Sequence, residues 1–456
     1  MIREPASFRD PAGFLFRRDG VLYRQVNDEY LPHYRRLMES GLYRDLTERG
    51  WLIPHEEVDV APAREENAGL ILRPRELHFI SYPHEWCFAQ LKDAALLTLK
   101  MAKRALESDM ILKDASSFNV AFEGSNPIFI DTLSFEEYRE GEPWVAYRQF
   151  CEHFLAPMAL MASTHVEMGR LLSGGVDGVP LAAASRALPR RSWLSPGLLV
   201  HVHLHARGER SLAESAGAAS GRGMGRRAFA GLLDSLHSAV RGLKWSPRGI
   251  WSDYYDGDSY SAEAFSHKEE TIRSFLRELR PDDVWDLGGN VGIFSRIAEE
   301  EGARVVSLDA DPACVQINYR ENRERESDVL ALRVDLGNPT PALGWCNRER
   351  ASLLDRGPAD VTMGLALIHH LAIGNNVPLE GVAELFARTG RDAIVEFVPK
   401  EDKRIRGMLA GRRDIFDDYT RENFERSFAR HFHLEEIVPL RDSGRILYLL
   451  RGGRTS

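Results

Sequence analysis

A chain of 456 residues is longer than one hydrophobic core supports and divides into two or three domains. Hydrophobic residues make up 43% and charged residues 28%, an ordinary globular balance, and a net charge of −9 argues against a nucleic-acid-binding surface. No apolar stretch reaches the length of a membrane span, the start MIREPASFRDPAG lacks a signal-peptide core, and Cys87, Cys151, Cys314 and Cys346 form no CxxC pair, so neither a zinc site nor a disulfide framework is indicated. A reducing cytoplasm fits these features.

The first part of the chain runs to about Ala206. ELHFISYPHEW reads as a strand leading into a hinge, and AQLKDAALLTLKMAKRAL as a long helix. MILKDASSFNVAFEGSNPIFIDTLSF follows, in which Asp114 precedes Asn119 by five residues and NVAF…PIFID is a hairpin that ends in Asp131. In HVHLHA, His201, His203 and His205 would share one face of a strand, like metal ligands, but a helix starting at SPG would spread them around its axis. No metal site is expected.

Residues 206–227, rich in Gly, Ala and Ser without apolar periodicity, read as a linker. FAGLLDSLHSAVRGL is a short amphipathic helix with Leu232, Leu233, Leu236 and Val240 on one face. The predicted domains are therefore 1–206, a linker and helix over 207–244, and 245–456. GIWSDYYDGDSYSAEAFSHK, with Trp251, Tyr254, Tyr255 and Tyr260, holds more aromatics than an exposed loop needs; it forms either a lid over a ligand or a packing face.

The last part alternates helices and strands. KEETIRSFLREL, GIFSRIAEEEG and DPACVQINYRENRERE read as helices; VWDLG, RVVSLDA, VLALRVDL, VTMGLALI and DAIVEFV as strands; HLEEIVPL and RILYLL as a closing antiparallel hairpin; and DDYTRENFERSF as an N-capped helix. Such alternation predicts a doubly wound, Rossmann-like α/β sheet with its ligand beyond the carboxyl ends of the strands. Asp286, Gly288, Gly289, Asn290 and Gly292 form the loop after the first strand. Gly288 permits the turn, Gly292 permits close packing of the helix, and Asn290 tolerates left-handed dihedrals. Asp309 ends the second strand, placed to accept from ribose hydroxyls, and Asp335 ends the third, followed by Leu336. The charge of Asp286 opposes a pyrophosphate and suits the ammonium and sulfonium of S-adenosylmethionine. His369 and His370 follow the fourth strand and Glu396 ends the fifth; a histidine there can act as a base, and Glu396 either meets an acceptor, orients a histidine or pairs with a lysine.

With these motifs, residues 245–452 resemble the class I S-adenosylmethionine-dependent methyltransferases. That resemblance implies that Asp286 and the glycine loop hold the methionine part, Asp309 the ribose and Asp335 the adenine edge, with Leu336 and Tyr255 beside the cofactor. His370, then His369 and Glu396, are the candidate catalytic residues. Asp114, Asn119 and Asp131 resemble the catalytic and metal-binding set of protein kinases and aminoglycoside-phosphotransferase-like enzymes, which implies an α+β kinase-like first domain. Leu112 stands where a histidine is usual, no glycine-rich phosphate loop is evident, IDTLSF lacks the usual glycine, and Arg24 stands for a lysine. These departures imply a degenerate module that binds an acceptor, with an active phosphotransferase fused to the methyltransferase as the alternative and a non-catalytic S-adenosylmethionine sensor as a third reading. The whole chain, through LKDASSFNVAFEGSNPIFIDTLSFE, SPGLLVHVHLHA, WSDYY…SYS, DLGGNVGIFS and LALIHHLAIGNN, resembles the NoeA-like group of bacterial methyltransferases. That implies a methyltransferase acting on a small-molecule acceptor, without a nucleic-acid or membrane partner, and leaves the acceptor's identity and the oligomeric state open.

Overall fold

Alternating apolar and polar residues in GFLFRR and VLYRQVN, separated by Asp19 and Gly20 at positive φ (52° and 82°), form a tight hairpin near the start of the chain. A computed structural model describes residues 2–63, 67–208, 224–246, 260–411 and 413–452. They fall into two units: Met1–Ser246 with Ala342–Ala351, and Pro247–Pro341 with Ser352–Ser456.

In the first unit, β1 (Ile2–Arg3), β2 (Gly13–Arg18), β3 (Val21–Asn27), β4 (His55–Val58) and β5 (Ala68–Pro74) make an antiparallel sheet in the order β1-β2-β3-β5-β4. Phe14, Phe16 and Ile71 pack together, and Val26 and Leu72 pack with Tyr30, Tyr34 and Leu133. The strand expected in ELHFISYPHEW is absent: the strand lies upstream in β5, and only the 3-10 turn Pro83–Glu85 follows. The expected long helix spans Phe88–Glu107, with Gln90 Oε1 accepting from the Cys87 amide at 3.0 Å to close its start. After it come β6 (Met110–Leu112), β7 (Val120–Glu123), β8 (Asn126–Phe129) and β9 (Phe135–Glu137), paired as β6–β9 and β7–β8, so the expected hairpin is present.

The helix expected after the linker spans Arg226–Gly242, and its buried face of Phe229, Leu233, Leu236 and Val240 belongs to the first unit, where Asp234 pairs with Lys103 and the Arg241 carbonyl accepts from Lys92 at 3.0 Å. HVHLHA follows the helical alternative of its two readings: His201, Val202, His203 and Leu204 lie in a π-helical turn, Leu199–Leu204. His201 is fixed between Tyr147 and Ser235, and His203 between Ser185 and Ser192, all at 2.8 Å. Among the described residues, no group of His, Cys, Asp and Glu is arranged to hold a metal, and no helix is long and apolar enough to cross a membrane.

In the second unit, β10 (Asp283–Leu287), β11 (Arg304–Asp309), β12 (Leu330–Arg333), β13 (Ala359–Gly364), β14 (Gly390–Phe397), β15 (Phe432–Pro439) and β16 (Ile446–Gly452) form one sheet in the order β12-β11-β10-β13-β14-β16-β15. β10 to β14 are parallel, and β16 runs antiparallel to both β14 and β15. The order reverses at β10, so the β10 loop opens at the switch point. Val284, Val361, Met363, Ile394 and Leu447 pack under the helices Ala262–Leu279 and Ile293–Glu300 through Ile272, Phe275, Phe294 and Ile297. The fourth strand stops at Gly364 rather than Ile368, because Ala366 turns to φ +52°.

Candidate functional site

Side chains alternate along β10, so Asp286 points to the same face as Val284, beneath the helix that follows the glycine loop. Ser295 of that helix donates to Asp286 Oδ2 at 2.6 Å, and its Oγ lies 2.9 Å from Ser307 Oγ. The loop passes directly over these groups: a Cβ on Gly289 would lie 2.3 Å from Ser307 Oγ and 3.0 Å from Asp286 Oδ2. Gly292 sits at φ +81°, where a Cβ would meet the Asn318 amide at 2.2 Å. Gly288 and Asn290 also have positive φ, 76° and 50°. The glycine-to-asparagine change at 290 is thus accommodated in the left-handed region that asparagine tolerates.

The Asn290 amide donates to Asp309 Oδ2 at 2.9 Å, and the Asp311 amide to Asp309 Oδ1 at 2.8 Å. The loop and the end of β11 are therefore one construction. Burial pushes Asp286 up to about 6, against the Ser295 hydrogen bond and the Lys268 charge. It pushes Asp309 up to about 6 as well, against the amides of Asp311 and Asn290. Neither carboxylate forms an ion pair with a cation among the described residues. Asp335, half-buried past the end of β12, accepts from the Gly337 amide at 3.0 Å, and Leu336 beside it is half-buried. These residues lie at the carboxyl ends of three adjacent strands. Tyr255, Trp251 and Tyr254 lie outside the described residues.

At the end of β13, His369 is completely buried and neither ring nitrogen has a hydrogen-bond partner among the described residues; its ring lies 4.2 Å from that of His370. Burial, then the charges of His370 and Arg445, hold His369 well below the ordinary histidine range. Burial and Arg404 hold His370 down at about 4. Both are neutral imidazoles at pH 7.

Of the readings open for Glu396, the structure shows the pair with a lysine. Glu396 is fully buried, Lys268 Nζ donates to Oε2 at 2.7 Å, and Tyr260 Oη donates to Oε1 at 2.7 Å. Lys268 also donates to Tyr260 Oη at 2.9 Å. Arg445 donates to Tyr260 Oη, lies 3.6 Å from Glu396 and donates to Asp402 Oδ2 at 2.8 Å. Burial would raise the Glu396 carboxyl, but Lys268 and Arg445 bring it below its ordinary value. Glu396 is the anion of a buried ion pair, already saturated by these donors. Tyr260, of the segment read as either a lid or a packing face, directs its hydroxyl into this network, with Arg445 4.3 Å and Lys268 4.7 Å from its ring centre.

Lys268 and Arg445 went unnoticed in the sequence. Lys268 had a signal: in the helix Ala262–Leu279 it stands four residues after Ala264 and four before Ile272, on the apolar stripe. Arg445 lies in a loop and had none.

The first unit carries a second polar cluster. Arg24 of β3 and Asp131 are 2.5 Å apart, with side chains only 10% and 15% exposed. Ser134 donates to Asp131 and accepts from Asn119 at 3.3 Å. Asp114 accepts from the Ser116 amide at 2.9 Å, and burial, then Asp131, raise its carboxyl above the ordinary range. Asp114, Asn119 and Asp131 are thus brought together, with Arg24 added.

The strand order of the second unit, its single reversed strand beside β14, and an acid-led glycine loop at the switch point define a class I methyltransferase fold. The chain is 34% identical over 455 residues to the nodulation protein NoeA of Rhizobium meliloti, covering 98% of this chain and 95% of that one, and it belongs to that family. No family model matches the sequence. Similar solved structures include magnesium protoporphyrin IX methyltransferase from Synechocystis with bound SAH, at 19% identity over 44% of this chain and 96% of that one, with a TM-score of 0.31. The bifunctional kinase-methyltransferase WbdD is 17% identical over 46% of this chain and 46% of that one, with a TM-score of 0.32.

Proposed function

We propose that the second unit is an S-adenosylmethionine-dependent methyltransferase acting on a small-molecule acceptor. The observation that carries this reading is the pair Asp286 and Asp309: two carboxylates at neighbouring strand ends, both raised by burial and neither ion-paired among the described residues. A buried carboxylate without a counter-ion is unfavourable, and a cationic ligand relieves it. S-adenosylmethionine fits on both counts, because it brings an ammonium and a sulfonium to Asp286 and ribose hydroxyls to Asp309. When bound, it supplies an electrophilic methyl group. In this reading Asp335 accepts from its adenine amino group, and Gly288, Gly289, Asn290 and Gly292 let the backbone approach it. His370 and His369, neutral at pH 7, can each accept a hydrogen bond or proton from an acceptor. Calorimetry with S-adenosylmethionine and S-adenosylhomocysteine tests the reading. Both should bind, Asp309→Ala should weaken them at least ~10-fold, and a dinucleotide should not compete. Absence of binding by both ligands would end it.

We read the first unit as kinase-like without phosphotransfer. The specific support is the Arg24–Asp131 pair. A carboxylate that should hold magnesium is neutralised by a guanidinium, which is always charged and matches it in shape. Purified protein should show no magnesium-dependent phosphate release from ATP. Release that disappears in Asp131→Asn would establish the bifunctional alternative.

A further inference from the structure

Ten residues from the second half of the sequence, 342–351, are built into the first unit. Glu349 accepts from Arg9 at 2.5 and 3.1 Å and from the Trp345 amide at 2.8 Å, and it is almost fully buried. The Ala351 amide donates to Tyr82 Oη at 2.9 Å. These contacts fix the segment and use up its acid.

Arg350 is left between them. Its guanidinium carbon lies 4.6 Å over the ring of Phe118, four residues beyond Asp114 on the same loop. One Nη donates to the Glu349 carbonyl at 3.0 Å. Nε is buried and has no acceptor, and no carboxylate lies within ion-pair distance of the guanidinium among the described residues. Burial disfavours its charge, while Tyr82, Glu349 and Asp114 pull the other way. Phe118 meets His153 edge-on at 6.2 Å. His153 Nδ1 faces Ser117, 3.3 Å from its amide and 3.0 Å from its hydroxyl. Burial and the Arg350 charge keep that imidazole down at about 4. A guanidinium with an unused donor, its carbon held over an aromatic ring and no carboxylate paired with it among the described residues, is arranged for a planar pair of anionic oxygens.

We propose that Arg350 is an anion-binding residue of the first unit and that, with Asp114, it receives a small ligand carrying an oxyanion and a hydroxyl. Arg350 takes the oxyanion, Phe118 supports its plane, and Asp114 accepts from the hydroxyl. The site needs residues from both halves of the sequence, and it does not depend on the methyl-transfer reading.

Inorganic phosphate is the probe. Full-length protein with isotope-labelled histidine is titrated with phosphate at constant ionic strength, and the His153 ring signal, assigned with His153→Asn, is followed by NMR. Phosphate should shift it saturably while sodium chloride does not. Arg350→Gln should raise the midpoint at least ~10-fold, and Arg350→Lys, which keeps the charge but loses the fork, by a smaller factor. If Arg350→Gln fails to fold, Arg350→Lys decides. Absence of a saturable shift in the native protein, or an equal midpoint in a folded Arg350 variant, overturns the proposal. Binding of S-adenosylhomocysteine to the same samples reports the other unit separately.

Discussion

Asp286 and Asp309 set the pH behaviour of the second unit. In the unfolded chain a carboxyl of this kind titrates near 3.8, and in the fold both lie near 6. Because the folded values are raised, the stability linked to these groups is fully present below about 3.8 and is lost as pH rises through about 6. A cationic ligand prefers the ionised carboxylates and reverses the trend. S-adenosylmethionine affinity should therefore rise between pH 5 and 7, by up to ~10-fold for each carboxyl, and binding at pH 6 should release protons. Calorimetry at pH 6 in two buffers of different ionisation enthalpy measures that release directly. A flat affinity from pH 5 to 7 would mean that the ligand's cationic groups sit elsewhere. Asp286 and Asp309 could be read from sequence because each ends a short apolar strand. Their shared titration could not, since it depends on how deeply a loop of small residues covers them.

At the scale of elements, the Lys268–Glu396 pair joins the helix Ala262–Leu279 to β14, across 128 residues of sequence. Both side chains are at most 1% exposed, so the pair is worth little as net stabilisation but is costly to split. Lys268→Met should destabilise the protein by about 3–5 kcal/mol, because it strands the Glu396 charge. Adding Glu396→Leu should recover much of that loss in urea unfolding; no recovery would mean that Lys268 matters through its packing on Phe294, 4.5 Å from its ammonium, more than through charge. The contrast between this pair and the glycine loop shows what sequence conveys. Gly288, Asn290 and Gly292 are consecutive with the strand and helix they connect, so their dihedral demands are local. For Glu396 the sequence leaves a lysine pair as one reading among several, and it does not name the partners Lys268, Tyr260 and Arg445, because they are distant in the chain. Arg24 and Asp131 repeat the lesson in the first unit: each residue was noticed, and only the fold revealed that they neutralise each other.

At the scale of the whole chain, the backbone leaves the first unit after Ser246, and that unit also takes in Ala342–Ala351. Composition marks where a linker begins, but it cannot show that 342–351, inside the methyltransferase-like sequence, supplies structure elsewhere. Trp345 and Cys346 are exposed, so the segment carries no apolar pattern to betray its place; it is held by polar contacts of Glu349 and Ala351. A chain ending at Ser246 therefore loses the acceptor of Arg9 and the amide that meets Tyr82. The Arg9 side chain is 60% exposed, so its ion pair alone contributes under ~1 kcal/mol. Loss of the whole segment, including the cover over Phe118, should cost the first unit at least ~1 kcal/mol relative to the same unit in the full chain. Urea unfolding followed by near-ultraviolet circular dichroism compares the two. Appending 342–351 through a flexible glycine-serine linker should restore the midpoint, and a truncated chain that matches the full-length protein would show that the segment rests on the first unit without supporting it.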